Sequence, residues 1–348
     1  MTAVPAPSAG ATSVALARRL RALIAFAVFT ALMVGGFIWS VSIGPEDIGP
    51  WTIVKGTFVQ GHETQQLIVH LIREPRALLA VLAGGSLAVA GAVMQSLTRN
   101  PLGSPDILGV NNGAAVTVAL ASVIIPSLGG VNTIFLALAG GTVAAVLVFG
   151  IARYGRGGVS PVRIALAGMT ISLLAFAIMQ GILIVWSQNS ELFFFWLVGG
   201  VTYASWSDIH TAYPFLVAGL VLAMLLARRL NILALGDDVA RGLGQNVTRT
   251  RVMAGVCTVL LAGAAVGVAG PVAFLGLIVP HIVRRTLGYN NHFVVLPLCF
   301  IGGAALLLYA DILARHLNSH VETPAGVVVA PIGALIFIYL ARREKLAG

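Results

Sequence analysis

The chain has 348 residues, of which 58% are hydrophobic and only 9% are charged. A mean hydropathy of +0.96 lies far outside the range of a water-soluble globular domain, so we expect a membrane protein. The net charge of +9 is then explained by orientation in a bilayer, and no nucleic-acid partner is expected.

Apolar segments recur along the chain at lengths that suit membrane helices, which need about 20 residues to cross a core about 30 Å thick. They span residues 22–43, 76–97, 106–126, 131–152, 161–186, 209–228, 250–269, 273–287, 293–316 and 324–341. We therefore expect an all-α polytopic membrane protein with about ten transmembrane helices.

The first apolar segment follows Arg18, Arg19 and Arg21, as in a secretion signal. Its apolar run is too long for a signal, and no clean small-x-small cleavage site follows. We expect a retained helix after a cytoplasmic tail at residues 1–21, with residues 1–17 disordered, and a single transmembrane domain at 22–348.

Basic residues should favour the cytoplasmic side. With both termini in the cytoplasm, only Lys55, Arg73, Arg76 and Arg315 lie outside, and the other 17 of the 21 lysines and arginines lie inside. This asymmetry supports a plasma-membrane protein with cytoplasmic N- and C-termini.

Small residues form patches within the apolar segments, such as LAGGSLAVAGA (82–92) and LLAGAAVGVAG (260–270). Such patches let membrane helices approach closely. AVAGAV (88–93) also resembles GVAGPV (267–272) on a helix expected to run in the opposite direction. The pair indicates an inverted internal repeat, although close packing alone would also explain it.

Two apolar segments are atypical. FLGLIVPHIVRR (274–285) is short and contains Pro280, which predicts a broken or tilted helix. His281 beside it suits a proton relay or, alternatively, a helix cap. SELFFFWLVGG (190–200) is too short to cross and fits an interfacial or re-entrant helix on the outer side.

The longest polar loop, at about 229–249, is expected in the cytoplasm. Within it, Asp237 and Asp238 stand where a short helix would begin. Leu235, Val239 and Leu243 would share one face of that helix. A short amphipathic helix outside the membrane indicates a docking partner.

The chain lacks an energy source of its own. Its two lysines, Lys55 and Lys345, do not belong to a G-x-x-x-x-G-K-[ST] loop, so we expect no nucleotide hydrolysis by this chain. No chain of buried acids typical of proton-coupled carriers is evident, and no H-E-x-x-H or paired-aspartate site of an intramembrane enzyme. An ATPase partner or an ion-coupled secondary transporter are the two alternatives.

Five sequence strings carry a resemblance to a known family. They are REPRALLAVLAGGSLAVAGAVMQSLTRNPLGSPDILGVNNGA (73–114), ALGDDVARGLG (234–244), VAGPVAFLGLIVPHIVRRTLG (268–288), YADILAR (309–315) and TPAGVVVAPIGALIFIYL (323–340). Together they resemble the signature of FecCD-like ABC importer permeases for ferric siderophores, haem and cobalamin. The resemblance implies the type II importer fold with ten helices per subunit.

The resemblance also implies partners. The permease would pair with a second permease copy or a paralogue, with translocation along the axis between them. Two ABC ATPase subunits would bind ATP and Mg, leaving no cofactor in this chain, and a substrate-binding (lipo)protein would deliver the cargo. A ferric siderophore is the expected cargo, with haem or cobalamin as alternatives.

Site residues follow from the same resemblance. The cytoplasmic gate would contain Asn100, Pro101 and Leu102 of RNPLG, with a simple turn as the alternative, and Ser160, Pro161 and Val162 of GVSPVR. Relatives often carry two hydroxyl residues in the second segment, where this chain has one. The ATPase-coupling residues would be Asp237, Asp238, Val239, Ala240, Leu243 and Gly244.

Binding-protein docking would involve Arg73, Arg76 and Arg315, because guanidinium groups pair well with partner carboxylates. Internal pairs are the alternative, since Glu74 adjoins Arg73 and Asp311 precedes Arg315 by one helical turn.

Overall fold

The computed structural model describes residues 9–44, 46, 48–58, 63–124, 131–154, 160–185, 191–317 and 322–345. Within these ranges the chain forms thirteen α-helices, when a helix and its internal π-helical turn are counted as one, and a short 3-10 helix at Pro105–Leu108. They are α1 (Ala9–Ser42), α2 (Pro50–Phe58), α3 (Thr64–Thr98), α4 (Val110–Ile124), α5 (Val131–Arg153), α6 (Pro161–Val185), α7 (Glu191–Val198), α8 (Trp206–Leu233), α9 (Asp237–Gly242), α10 (Val247–Ala269), α11 (Leu275–Leu287), α12 (His292–Leu317) and α13 (Gly326–Lys345).

The predicted all-α architecture is confirmed, and each of the predicted apolar segments corresponds to one helix. Among the described residues, seven helices are long and apolar enough to cross a membrane, namely α1, α3, α5, α6, α8, α10 and α12, while α4 and residues Gly326–Ile338 of α13 are shorter apolar helices. The expected short helix is α11, which has 13 residues and so spans only about 20 Å at about 1.5 Å per residue. It must therefore lie among longer helices.

The N-terminal tail is shorter than predicted. Helix α1 begins at Ala9, so the expectation of disorder is wrong for residues 9–17, while residues 1–8 lie outside the described ranges. Alanine, a strong helix former, is frequent in residues 9–17 and extends the helix toward the N-terminus. Helix α2, which the sequence reasoning missed, begins at Pro50, a residue suited to the first helical turn.

Helix α3 forms the centre of the bundle. It packs against α12, α11, α8 and α10, and most of its residues are buried. Helix α3 also approaches α12 closely, since a Cβ atom on Gly84 would lie 2.5 Å from the carbonyl oxygen of Gly303. Glycine is therefore required for this contact, and the expected close packing through small residues is confirmed.

Packing between helices repeats in the two halves of the chain. Helix α3 packs on α12 as α10 packs on α5, and α4 packs on α5 as α11 packs on α12. Helix α3 ends next to Arg99, which contacts Asp237, whereas α10 begins next to that same aspartate through Arg251. The two equivalent helices thus run in opposite directions, as the predicted inverted repeat requires.

Two clusters of charged residues mark the two ends of the bundle. We call the end with Arg99, Asp237 and Arg251 the Asp237 end, and the end with Arg76, Asp311 and Arg315 the Asp311 end. The short aromatic helix α7 packs on the bundle through Trp196, whose Nε1 donates to the carbonyl of Gly267 over 3.4 Å.

Candidate transport machinery at the two ends of the bundle

The loop after α3 is held by its own asparagine. Arg99 adopts the left-handed conformation that ends the helix, with φ of 49°. The Oδ1 atom of Asn100 then accepts from the amide of Leu102 over 2.9 Å, and its carbonyl accepts from the amide of Gly103 over 2.9 Å. Asn100 and Pro101 are exposed, and Leu102 is half-buried. The loop is a compact turn that presents its tip outward.

Helix α9 confirms the predicted short helix at the Asp237 end. Ala240 faces inward and packs with Leu233 and Val247 in a small apolar cluster. Leu235, Val239 and Leu243 are exposed, and the relative exposure of Leu243 is 63%. Val239 lies on α9, while Leu235 and Leu243 flank the helix, so the predicted shared helical face is only partly formed. Exposed apolar side chains grouped in this way are typical of a protein contact surface.

The two neighbouring aspartates of α9 have different environments. The side chain of Asp238 is 99% exposed and contacts Arg241 over 3.2 Å. The side chain of Asp237 is only 19% exposed. It accepts from Arg99 and from Arg251, whose Nη2 lies 2.9 Å from both carboxylate oxygens. Only Asp238 is therefore open to a partner in the same way as the exposed leucines.

The second gate segment is only partly within the described residues, since residues 158 and 159 lie outside them. Ser160 precedes α6, and its hydroxyl accepts from the amide of Arg163 over 3.3 Å. Pro161 is the first residue of α6, and the side chain of Val162 is exposed. The serine hydroxyl is thus used to cap a helix.

A buried polar network at the Asp237 end was missed by the sequence reasoning. The Oγ of Ser96 lies 2.5 Å from Nε2 of His292, and Nδ1 of this histidine lies 2.6 Å from Oδ1 of Asn231. Arg284 donates to the side chain of Gln95 in the same region. The network links α3, α8, α11 and α12, and no local sequence pattern announces it because its members are far apart in the chain.

Asp311 organises the opposite end. Its fully buried carboxylate accepts three hydrogen bonds from Arg76, at 3.0 to 3.2 Å, and further bonds from Arg315. Arg315 also donates to the carbonyl of Ser40 over 2.9 Å. Arg76 reaches Glu322 over 3.0 Å, and the side chain of Glu322 is 51% exposed. The geometry therefore favours the internal-pair alternative for the Asp311–Arg315 contact.

Arg73 is buried in the π-helical turn Val69–Arg73 of α3. Its guanidinium donates to the backbone carbonyls of Val41, Ser42 and Glu46, the last over 2.6 Å. Glu74 lies 3.0 Å from Nδ1 of His70. Arg73 thus fastens the chain after α1 to the start of α3.

Comparison with known proteins agrees with this arrangement. The model of the FecCD transport family matches residues 31–343. The chain is 40% identical over 323 residues to the Fe(3+)-citrate import system permease protein YfmD of Bacillus subtilis, covering 93% of this chain and 96% of that protein. It is 34% identical over 327 residues to the permease protein YfmE of the same import system, covering 94% and 97%.

A relative from a second organism and a solved structure are also similar. The Fe(3+) dicitrate transport system permease protein FecC of Escherichia coli is 41% identical over 280 residues, covering 80% of this chain and 84% of that protein. An inward-facing structure of a putative metal-chelate type ABC transporter aligns with a TM-score of 0.80 and 27% identity, covering 92% of this chain and 99% of that chain.

Proposed function

The chain belongs to the FecCD transport family and is the transmembrane permease of an ABC importer, and we propose that its cargo is an iron chelate, namely a ferric siderophore or ferric citrate. The observation that carries the proposal is similarity over nearly the whole chain to permeases of Fe(3+)-citrate import. Haem and cobalamin are the alternative cargoes, since the permeases that the sequence resembles also include importers of these two compounds.

Two ABC ATPase subunits supply the energy, because the chain contains no phosphate-binding loop and offers an apolar docking surface instead. That surface consists of Leu235, Val239 and Leu243, with Asp238 beside them. ATP and Mg bind to the ATPase subunits. Membership of a family of ABC importer permeases favours this ATP-driven mechanism over the alternative of a secondary transporter.

A second permease chain completes the pathway. It is either a copy of this chain or a paralogue, and the similarity of this chain to both YfmD and YfmE supports the paralogue. The gate residues Asn100, Pro101 and Leu102 and the second segment Ser160, Pro161 and Val162 face their counterparts across the axis between the two chains.

The Asp237 end lies in the cytoplasm of a bacterial cell, and the Asp311 end faces outward. The arrangement of basic residues supports this orientation, since Arg18 of α1 lies over the ring of Tyr289, 5.9 Å from its centroid. Tyr289 follows α11, whose Arg284 contacts Gln95 near the end of α3, at the Asp237 end. The protein lies in the plasma membrane, and both of its termini are in the cytoplasm.

We propose that the substrate-binding protein docks at the Asp311 end, where Arg73, Arg76 and Arg315 are the predicted docking residues. In the free chain their donors are held by Asp311, by Glu322 and by backbone carbonyls. A partner carboxylate therefore binds by replacing Glu322, the exposed member of the cluster.

The cargo is tested by uptake in a bacterial strain that lacks its own chelate permeases. The strain expresses this chain with its cognate ATPase and binding protein and receives radioactive ferric citrate, a ferric hydroxamate, haem or cobalamin. We expect uptake of a ferric chelate only when the binding protein is present. Uptake of haem or cobalamin alone would contradict the proposed cargo.

A further inference from the structure

The coupling helix and the gate loop are joined by one ion pair. Arg99 is the residue directly before Asn100, and Asp237 is the first residue of α9. Their side chains form a salt bridge although they are 138 positions apart in the chain. The predicted coupling helix α9 and the predicted gate segment that begins at Asn100 are thus linked by a charged contact.

Arg251 fixes the other side of the same carboxylate. Its side chain is almost fully buried at the start of α10, and it contacts both oxygens of Asp237 over 2.9 Å. Asp237 is therefore held between the start of α10 and Arg99, the residue that follows α3. A carboxylate shared by two guanidinium groups is a strong and directional contact.

Apart from this ion pair, α9 makes its main contacts with helices other than α3. Helix α9 packs on α8 and α10. Its buried residue Ala240 belongs to a small apolar cluster with Leu233 and Val247, separate from the main core. Displacement of α9 would consequently move Arg99, and with it the end of α3, through the salt bridge to Asp237.

We propose that Asp237 is a positioning residue that transmits movement of α9 to the gate loop through Arg99. The proposal rests on the proposed function, because it assumes that an ATPase binds α9. Asp237 then differs in role from Asp238, which is a contact for the ATPase itself. The sequence alone suggested one shared role for the two aspartates.

The test uses the complete transporter with its ATPase, after replacement of Cys257 and Cys299 by alanine. A cysteine introduced by Leu102→Cys reports the gate, since disulfide formation between the two permease chains needs Cα atoms within about 7 Å. The measured quantity is the ratio of cross-link yields without nucleotide and with a non-hydrolysable ATP analogue. We expect a ratio that differs from one by at least about fivefold, the lower end of typical coupling between sites.

A double-mutant cycle then tests the pair. Arg99→Met and Asp237→Asn should each reduce the nucleotide dependence of the ratio by a similar part while the ATPase still co-purifies, and the double variant should lose no more than either single variant. The conservative variants Arg99→Lys and Asp237→Glu should recover part of the nucleotide dependence. Arg249→Met is the matched control, because Arg249 is exposed at the same end and its side chain makes no hydrogen bond within the described ranges.

The outcomes separate the inference from the proposed function. An unchanged ratio in Arg99→Met, or losses that add in the double variant, would overturn the role of the pair. If Asp237→Asn loses the ATPase while Arg99→Met retains it with a normal ratio, Asp237 is an ATPase or folding residue and the inference fails. A ratio of one in the parent complex would instead contradict the gate assignment.

Discussion

Arg76 and Asp311, which are 235 positions apart in the chain, form three hydrogen bonds at the Asp311 end of the bundle. The same carboxylate accepts from Arg315. One fully buried aspartate therefore balances two arginines that are themselves largely buried. Such an arrangement is sensitive to loss of its shared member, because each arginine would keep its charge without its main partner.

We predict that Asp311→Ala destabilises the protein strongly. Removing one partner of a buried ion pair costs about 3–5 kcal/mol, and two arginines lose their partner here. The melting temperature of the purified chain in detergent should fall well below that of the unchanged chain. Ser42→Ala, an exposed change at the same end, should leave it near the original value, and equal melting temperatures for Asp311→Ala and the unchanged chain would refute the shared role.

Glu322→Gln should strengthen docking of the binding protein. Glu322 contacts Arg76 from an exposed position, so removing its charge should cost at most about 1 kcal/mol of stability. The freed donor on Arg76 becomes available to a partner carboxylate. Surface plasmon resonance with the cognate binding protein should show a lower Kd at low salt and a smaller difference at high salt. Weaker binding of the variant would show that Glu322 itself contacts the partner.

Leu243→Asp should remove the ATPase from the complex without affecting membrane insertion. Leu243 is exposed directly after α9, and a carboxylate at the centre of an apolar interface is costly to bury. Co-purification with a tagged ATPase measures the effect, and charge reversal by Asp238→Arg should also reduce it. Thr248→Asp places the same charge on an exposed site of α10 outside this surface. Retention of the ATPase by Leu243→Asp would remove the assignment.

The contact between α3 and α12 gives a prediction about stability. A Cβ on Gly84 would meet the carbonyl of Gly303 at 2.5 Å and Leu307 Cβ at 2.8 Å, so Gly84→Ala forces the helices apart. Overpacking of this kind costs about 1–3 kcal/mol. Gly181→Ala in α6 is the matched control, because a Cβ there meets nothing within 4 Å. Thermal unfolding of both variants compares them, and a loss no larger for Gly84→Ala than for Gly181→Ala would contradict the close approach.

The sequence predicted the helices better than it predicted their contacts. Apolar runs and their polar interruptions located the membrane segments, the short α11 and the exposed helix α9, because these features depend on neighbouring residues. The predicted start of α1 was wrong, because a segment of small residues that is rich in alanine can extend a long helix.

The partners of charged residues could not be read from the sequence in the same way. The adjacency of Arg73 and Glu74 suggested a pair, but Arg73 reaches carbonyls more than 25 positions earlier, at the end of α1 and just after it. The one-turn spacing of Asp311 and Arg315 was informative, whereas the contribution of Arg76 required the packing of α3 against α12. The two aspartates of α9 differ for the same reason.

The central claim is that this chain imports its cargo only with an ATPase bound at α9. The most direct measurement is uptake of a radioactive ferric chelate into proteoliposomes that contain the permease and its ATPase. The binding protein is added on the side of the membrane that the Asp311 end faces. We expect uptake that requires ATP and Mg on the Asp237 side and that is abolished by Leu243→Asp. Uptake that continues without the ATPase and stops when an ion gradient is dissipated would show a secondary transporter and contradict the account.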